Sequence, residues 1–458
     1  MSNLIHIDLV PNFEDDDYEI IKKLANLTRI GADKKHADRR GLDSSQDYIK
    51  KEIEEAKNGV LKILKFYFPQ GEIFFFNSAR GALSFLLMQT NLDRNNLPGY
   101  QPDMSPGLEP DISGKHQGSL SGIHPGKSRE SLREYTPEII TQAFSCLVVP
   151  DAIKFAGYKP IYVDIDETYN LDIEDLKRKI NERTKTIIIQ NTFGIPAKID
   201  EILEIAHQNN ILVIENLTHS LGAKYKGKYL GNFGDFALLS FNRNKVISSI
   251  IGGALVVNNK NFLEKIKQNY ELLPELSQKE IQKIIFTGKV LYQAKKNYNF
   301  LTKIYLKFLR KIGKTVEMIS SIEKQGKKPE NYLFKFPEVL FPLLLNQLKK
   351  SERFNEKRKE IAKIYLEKFP LNFSGEPIFL RFPILIENRD FVLEKFKKEN
   401  IYLGDWYRCV LDPCSDLKIF DYEIGSCPKA EKITKKIINL PTLIEKDKGE
   451  YIIKKFKN

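Results

Sequence analysis

Residues 211–254 read ILVIENLTHSLGAKYKGKYLGNFGDFALLSFNRNKVISSIIGGA, and this stretch decides the fold. Its two short apolar runs, residues 211–214 and 236–239, have the length and continuous hydrophobicity of strands buried in a parallel sheet. The first run ends at Glu215 and Asn216, and the second ends shortly before Lys245. A lysine is a useful nucleophile only when its surroundings lower its pKa or join it to a carbonyl. Lys245 follows one buried strand, and polar residues stand at the end of the other. This arrangement therefore indicates a functional site around Lys245.

Composition describes an ordinary globular chain. With 458 residues, 42% of them hydrophobic and 29% charged, the chain can bury a large core, and two domains are expected. The N-terminal residues lack the basic segment and apolar core of a signal peptide, and no apolar run approaches the roughly 20 residues that span a bilayer. The predicted location is the cytoplasm.

A formal net charge of +12 raises the question of an anionic partner. The lysines are dispersed through helical stretches and no nucleic-acid-binding module is recognisable, so no nucleic-acid partner is predicted. A solvated lysine-rich surface is the preferred interpretation, and a positive field also suits an anionic substrate such as a nucleotide diphosphate. The four cysteines have no metal-ligand spacing, so they are predicted to be reduced structural thiols and no metal site is predicted.

Apolar strands alternate with helical segments through residues 144–214, which is typical of an α/β fold with a mostly parallel central sheet flanked by helices. We predict a large α/β domain at residues 1–260, with a Pro-, Gly- and Ser-rich flexible insertion at 93–134. A basic helical segment at 261–335 would link it to a smaller C-terminal α+β domain at 336–458.

Within the basic segment, apolar residues recur at helical spacing between Leu301 and Leu309. We interpret this stripe as packed against the main body or a partner subunit. Contact of residues 301–314 with a membrane surface is the alternative.

Four polar segments follow predicted strands, at residues 77–80, 191–193, 215–219 and 240–245. The carboxyl ends of parallel strands share one edge of a sheet, and ligands bind beyond that edge. The first of these segments also opens a helix, where free backbone N–H groups and the helix dipole favour an anion. The sequence thus predicts one crevice with Lys245 and an anion-binding turn.

The order of several motifs resembles one family. These motifs are ENLTH at 215–219, YKG at 225–227, GNFGD at 231–235, SFNRNK at 240–245, GGA at 252–254, CPKAE at 427–431 and NLPT at 439–442. Together they resemble the DegT/DnrJ/StrS family of PLP-dependent sugar aminotransferases, which have the type I aminotransferase fold. The resemblance covers nearly the whole chain apart from the insertion at 93–134.

The resemblance implies a role for each matching residue. Lys245 is expected to hold pyridoxal 5'-phosphate (PLP) covalently and to shuttle a proton. Ser240 and the backbone of Ala79 and Arg80 are expected to bind its phosphate, with the Arg80 guanidinium as a further bidentate contact. His219 is expected near the phenolic oxygen.

Two positions depart from the family pattern. Cys146 stands where relatives often stack an aromatic ring on the cofactor, and nearby Phe144 is a candidate substitute. Asn216 stands where the family has an aspartate that keeps the pyridine nitrogen protonated, so an amide removes the counter-charge that makes the ring an electron sink.

The function implied by the resemblance is transfer of an amino group from an amino acid, with glutamate the expected donor, to a keto group on a nucleotide-linked sugar. The pathway would be the synthesis of amino sugars for cell-surface polysaccharide, and the assembly a homodimer. The alternative is a catalytically weakened homologue with a regulatory or scaffolding role, and Asn216 is the residue that favours it.

Overall fold

The computed structural model describes residues 5–6, 10–30, 39–90, 136–413 and 416–456. The predicted insertion at 93–134 lies outside the described residues. The strands are β1 (Ile5–His6), β2 (Glu72–Phe76), β3 (Glu138–Gln142), β4 (Ser145–Cys146), β5 (Lys159–Val163), β6 (Thr184–Ile189), β7 (Leu212–Asn216), β8 (Lys224–Tyr225), β9 (Lys228–Tyr229), β10 (Phe236–Ser240), β11 (Gly253–Val257), β12 (Phe382–Leu385), β13 (Ile401–Tyr402), β14 (Leu411–Asp412) and β15 (Ile437–Leu440).

The α-helices are α1 (Asp15–Ile30), α2 (Arg39–Tyr67), α3 (Ala79–Thr90), α4 (Val148–Phe155), α5 (Ile173–Lys179), α6 (Ile199–Gln208), α7 (Leu263–Glu271), α8 (Gln278–Lys296), α9 (Phe300–Lys311), α10 (Phe341–Lys349), α11 (Ser351–Leu366), α12 (Arg389–Lys398), α13 (Pro428–Ile433) and α14 (Lys446–Lys455). Among the described residues, none of these helices combines the length and apolar character needed to cross a membrane.

A seven-stranded sheet in the order β2-β11-β10-β7-β6-β3-β5 forms the centre of the fold. β11 runs antiparallel to both of its neighbours, and the other pairs are parallel. The predicted mostly parallel α/β sheet is therefore confirmed. β3 was not anticipated, because Glu138 and Gln142 interrupt its apolar pattern, although both are buried within the sheet.

The pairing register of the strands places the predicted polar segments at one edge of the central sheet. β7 and β10 pair so that Asn216 lies opposite Leu238, and the residues that follow both strands leave the sheet on the same side. β2 ends at Phe76 beside β11, and α3 begins three residues later. The four polar segments predicted from the sequence are thus carried to the carboxyl edge of the sheet.

A glycine sets the approach of β11 to the start of α3. A Cβ at Gly253 would lie 2.4 Å from the backbone nitrogen of Ala79, which is closer than real Cβ atoms come. Only glycine therefore lets this strand lie against the first residue of α3. The contact fixes the N-terminus of α3 at the sheet edge.

The C-terminal residues form the predicted smaller α+β part. β12 and β15 pair antiparallel, and buried side chains such as Tyr365 and Phe382 pack beside them. β14 pairs with β4, so that Asp412 lies opposite Cys146. The chain around residues 404–412 is thereby brought next to the carboxyl edge of the central sheet.

The apolar stripe predicted in the basic segment falls on α9, but it is not packed against the main body. Leu309 is buried, whereas Leu301 is 73% exposed and Phe308 is 54% exposed. Sequence periodicity identified the helix correctly, but the predicted packing of the stripe against the main body is wrong, because the same spacing serves a packed face and an outward one. Packing of this face against a partner subunit stays a prediction.

Candidate active site

A cavity of about 600 Å³ lies at the carboxyl edge of the sheet. Among its lining residues are six of the predicted site residues: Ala79, Arg80, Cys146, Asn216, Ser240 and Lys245. The aromatic ring of Phe144 instead makes edge contacts with Phe193 and Tyr407 in the core, and Phe144 is not among the lining residues. The structure thus places six of the eight predicted residues in the lining of one cavity, whereas Phe144 is buried in the core outside that lining.

The remaining predicted residue, His219, contacts Lys245 directly. The Nε2 atom of His219 lies 3.2 Å from Nζ of Lys245. Burial, together with the positive charge of Arg381, lowers the pKa of Lys245 to about 8. A much larger fraction of this amine is therefore neutral near pH 7 to 8 than of an exposed lysine.

The protonation of His219 follows from its neighbours. Burial lowers its pKa well below the usual value, and the charges of Lys245 and Arg381 act in the same direction, so the imidazole is neutral. Its Nδ1 accepts a hydrogen bond from the backbone N–H of Phe193 at 3.3 Å. A neutral imidazole that accepts at Nδ1 carries its proton on Nε2, which is the nitrogen that faces Lys245.

Trp406 is a site residue that sequence reasoning missed. Its ring stacks on His219 with centroids 5.3 Å apart and planes 13° from parallel, and Lys245 Nζ lies 5.0 Å from its centroid. The Arg381 guanidinium carbon lies 3.3 Å from the same centroid. The sequence feature that could have pointed to Trp406 is that it is the single tryptophan of the chain.

Asn439 fixes the position of Trp406. The Oδ1 of this buried asparagine accepts from the Trp406 backbone N–H at 2.9 Å, and its Nδ2 donates to the Trp406 carbonyl at 3.0 Å. Because an amide side chain satisfies both backbone groups, it holds this segment without a charge. Asn439 belongs to the NLPT motif, so a motif far from Lys245 in the sequence shapes the same site.

The start of α3 provides an anion-binding end. The first N–H groups of a helix have no acceptor within the helix, and Ala79 and Arg80 line the cavity at this point. The Ser78 hydroxyl accepts from the Gly81 N–H at 3.1 Å, and Ser240 lines the cavity from the end of β10. This arrangement can receive a phosphate between the turn and the Ser240 hydroxyl.

The Arg80 side chain has other partners than those predicted. Its Nε lies 2.6 Å from Oε1 of Glu323, and its Nη1 donates to the Met318 carbonyl at 2.6 Å. The guanidinium thus holds the segment around residues 318–323 against α3. Its predicted bidentate contact with phosphate would compete with these bonds.

Asn216 and Cys146 contribute neutral groups to the cavity. Asn216 is 5% exposed at the end of β7, and its Oδ1 accepts from the Thr218 N–H at 3.2 Å. Burial raises the pKa of the Cys146 thiol to about 11, so it is protonated at neutral pH. Neither residue supplies a negative charge.

These residues fit PLP by their chemistry. The cavity offers an amine of lowered pKa at Lys245, a neutral ring N–H at His219, an anion-binding helix end at Ala79 and a hydrogen-bonding amide at Asn216. PLP carries an aldehyde, a phenolic oxygen, a phosphate and a pyridine nitrogen, which are the groups that this set would bind.

Comparisons with known proteins point the same way. A model of the DegT/DnrJ/EryC1/StrS aminotransferase family matches residues 134–457. A protein of Methanocaldococcus jannaschii is 31% identical over 330 residues, which cover 66% of this chain and 74% of that protein.

Two further likenesses are partial or structural. A GDP-perosamine synthase of Escherichia coli O157:H7 is 38% identical over 129 residues, and this match covers 28% of the chain and 35% of that enzyme. The solved structure of E. coli GDP-4-keto-6-deoxy-D-mannose-3-dehydratase with bound hydrated PLP covers 96% of both chains, with a TM-score of 0.58 and 20% identity. The latter is a likeness of fold.

Proposed function

Since the chain belongs to the DegT/DnrJ/EryC1/StrS aminotransferase family, whose members depend on PLP, we propose that it transfers an amino group from an amino acid to a keto group on a nucleotide-linked sugar. We take glutamate as the donor and the supply of amino sugars for cell-surface polysaccharide as the role. The partial match to a GDP-perosamine synthase supports the nucleotide-linked acceptor, and the positive charge of the chain suits a diphosphate.

The observation that carries this proposal is the 3.2 Å contact between Lys245 and His219 inside the cavity. A buried amine with a pKa of about 8 can attack an aldehyde and can also take up or release a proton near neutral pH. A lysine retained for packing alone would not require a neutral imidazole whose N–H faces it.

Each residue of the cavity then has a defined task in the proposal. When bound, PLP withdraws electrons from the substrate carbon that loses its proton, and that is the chemistry the protein itself lacks. Lys245 would hold the cofactor through its amine and would move the proton to and from the substrate carbon. The His219 Nε2–H would donate to the phenolic oxygen, and Ala79, Arg80 and Ser240 would bind the phosphate through backbone N–H and hydroxyl groups.

Asn216 sets how fast this reaction runs. Its amide would hydrogen-bond the pyridine nitrogen of bound PLP but would bring no charge to keep that nitrogen protonated. We therefore propose a working but slower enzyme rather than an inert one, since Lys245 and the anion-binding end are both in place.

The test uses two readouts on one sample. Trp406 is the single tryptophan and lines the cavity, so PLP should quench its emission in a saturable way. Glutamate added to the PLP-loaded protein should then release 2-oxoglutarate. GDP-4-keto-6-deoxymannose, added next with a UDP-linked keto sugar in a parallel sample, should gain an amino group detectable by mass spectrometry.

The outcomes separate the two functions that the sequence left open. Quenching followed by sugar amination supports the aminotransferase. Quenching that no amino donor alters would instead support a weakened, PLP-binding homologue with a regulatory role. Absence of quenching in the wild type, together with no release of oxo acid, would contradict the enzyme.

Assembly and location are parts of the same proposal. We propose a cytoplasmic homodimer, in line with the sequence-based expectation. Light scattering after size-exclusion chromatography measures the oligomeric state. Fractionation of the expressing cell measures the location.

A further inference from the structure

The outer face of α9 exposes a continuous apolar stripe. Its residues lie one helical turn apart in two adjacent rows and are 46–73% exposed: Phe300, Leu301, Ile304, Tyr305, Phe308 and Ile312. A single exposed apolar side chain is common on protein surfaces, but six on one face form a patch that marks an interaction surface.

Contacts on the inner side fix this face outward. Lys303 lies 5.1 Å from the ring centroid of Tyr298 and 4.6 Å from that of Tyr402, and its Nζ donates to the Tyr402 hydroxyl. Leu309 is buried on the same side. The helix therefore cannot rotate its apolar stripe inward without breaking an ordered set of contacts.

The charge around the stripe has one sign. Between Glu280 and Glu317 the sequence contains nine lysine and arginine residues and no aspartate or glutamate. Among the nine, Lys307, Lys311 and Lys314 are exposed along α9 and just beyond it. A helix with an apolar face and such basic flanks fits the interface of an anionic bilayer, where its apolar side chains enter the headgroup region and its cations meet lipid phosphates.

We propose that the outer face of α9 docks this protein onto membranes that contain anionic phospholipid. Charge complementarity selects this partner over a second copy of the chain. A two-fold interface through this face would set two such basic stretches against each other, and like charges oppose that contact. This docking does not depend on the aminotransferase reaction.

The same helix links the surface to the cavity. Leu306 and Arg310 on α9 and Tyr298 just before it line the cavity on its inner side. Docking through the outer face would therefore hold the cavity within one helix diameter, about 10 Å, of the lipid headgroups.

Vesicle flotation of the full-length protein tests the proposal. We expect the protein to float with vesicles of phosphatidylcholine and phosphatidylglycerol, and not with phosphatidylcholine alone. Binding should weaken as salt is raised, since exposed charges are screened.

Substitutions locate the binding face. The triple variant F300S/L301S/F308S should bind anionic vesicles roughly tenfold more weakly or worse, because it removes three exposed apolar groups from the interface. K307Q/K311Q should have an effect of similar size through the loss of two cations. The matched control is F391S, since Phe391 is 72% exposed on α12, where Asp390 and Glu394 accompany the lysines.

Three outcomes would overturn the proposal: no flotation at low salt, flotation that all three variants retain equally, or a stripe variant that changes the oligomeric state of the protein while binding persists. Far-UV circular dichroism and the melting temperature of each variant confirm that it is folded. If the triple variant fails to fold, K307Q/K311Q still decides the question, because its substitutions are confined to exposed side chains.

Discussion

The Nε atom of Arg80 lies 2.6 Å from Oε1 of Glu323, whose side chain is fully buried. Arg80 belongs to the first turn of α3, at the anion-binding end of the cavity, and Glu323 lies more than 240 residues later. The Glu323 carboxylate also accepts from the N–H and hydroxyl groups of Ser320. This pair joins the segment over the cavity to the helix beneath it.

We predict that E323Q lowers the free energy of unfolding by about 2 kcal/mol. Removing one partner of a buried ion pair leaves the other charge uncompensated. The expected loss in the free energy of unfolding is smaller than for a fully buried pair, because Arg80 is 21% exposed. Urea unfolding without PLP measures it. The control E330Q, at an exposed position, should change stability by less than about 0.5 kcal/mol. Equal losses in both variants would contradict a structural role for the pair.

The buried carboxyl group of Asp151 makes the free energy of unfolding depend on pH. Burial, together with the negative charge of Glu323, raises the pKa of its carboxyl to about 8. Neither carboxyl oxygen has a hydrogen-bond partner among the described residues. Between pH 4 and 8 the folded chain therefore holds a proton that the unfolded chain has released, so stability falls as pH rises.

We predict that D151N reduces the fall of the free energy of unfolding with pH by up to about 1.4 kcal/mol per pH unit, since asparagine does not titrate. Urea unfolding at a series of pH values between 4 and 8 measures the slope. Parallel curves for D151N and wild type would show that Asp151 titrates normally.

The lowered pKa of Lys245 should appear in its rate of reaction with PLP. Only the neutral amine is a nucleophile, so the rate of covalent attachment should rise about tenfold per pH unit and level off near pH 8, the pKa of this lysine. Stopped-flow absorbance gives the rates, and borohydride reduction followed by mass spectrometry identifies the lysine. A rise that continues toward pH 10.5 would mean that burial does not lower this pKa.

Restoring a carboxylate at position 216 should accelerate the reaction. N216D places a negative charge where the pyridine nitrogen would bind, and each 1.36 kcal/mol of added stabilisation is tenfold in rate. We expect the half-reaction with glutamate to speed up by tenfold or more, measured by single-turnover absorbance. N216Q is the control, since it keeps an amide. Unchanged or lower rates in N216D would refute the counter-charge argument.

Asn439 is predicted to act through Trp406. N439A removes both hydrogen bonds to the Trp406 backbone, so the ring should become mobile beside His219 and Lys245. We expect lower fluorescence anisotropy of the single tryptophan and roughly tenfold weaker PLP quenching. N388A, at an exposed asparagine, is the control. If anisotropy is unchanged while stability falls, Asn439 is structural and does not position the ring.

The order of motifs along the chain was sufficient to predict the α/β fold and most of the cavity. Asn216, Ser240 and Lys245 could be placed together in advance because parallel strands end on the same edge of a sheet. Phe144 could not be placed in this way, since the direction of its side chain depends on how the core around it packs. The boundaries of the two predicted domains stay predictions.

Contacts between distant parts of the chain were decided only by the tertiary structure. Trp406 reaches Lys245, and Glu323 reaches Arg80, through packing of elements that no local pattern relates. The direction of the α9 stripe is a third case, because an amphipathic sequence specifies a helix with one apolar face but not what that face meets. Local periodicity determines secondary structure, whereas the pairing of faces depends on the free energy of the whole fold.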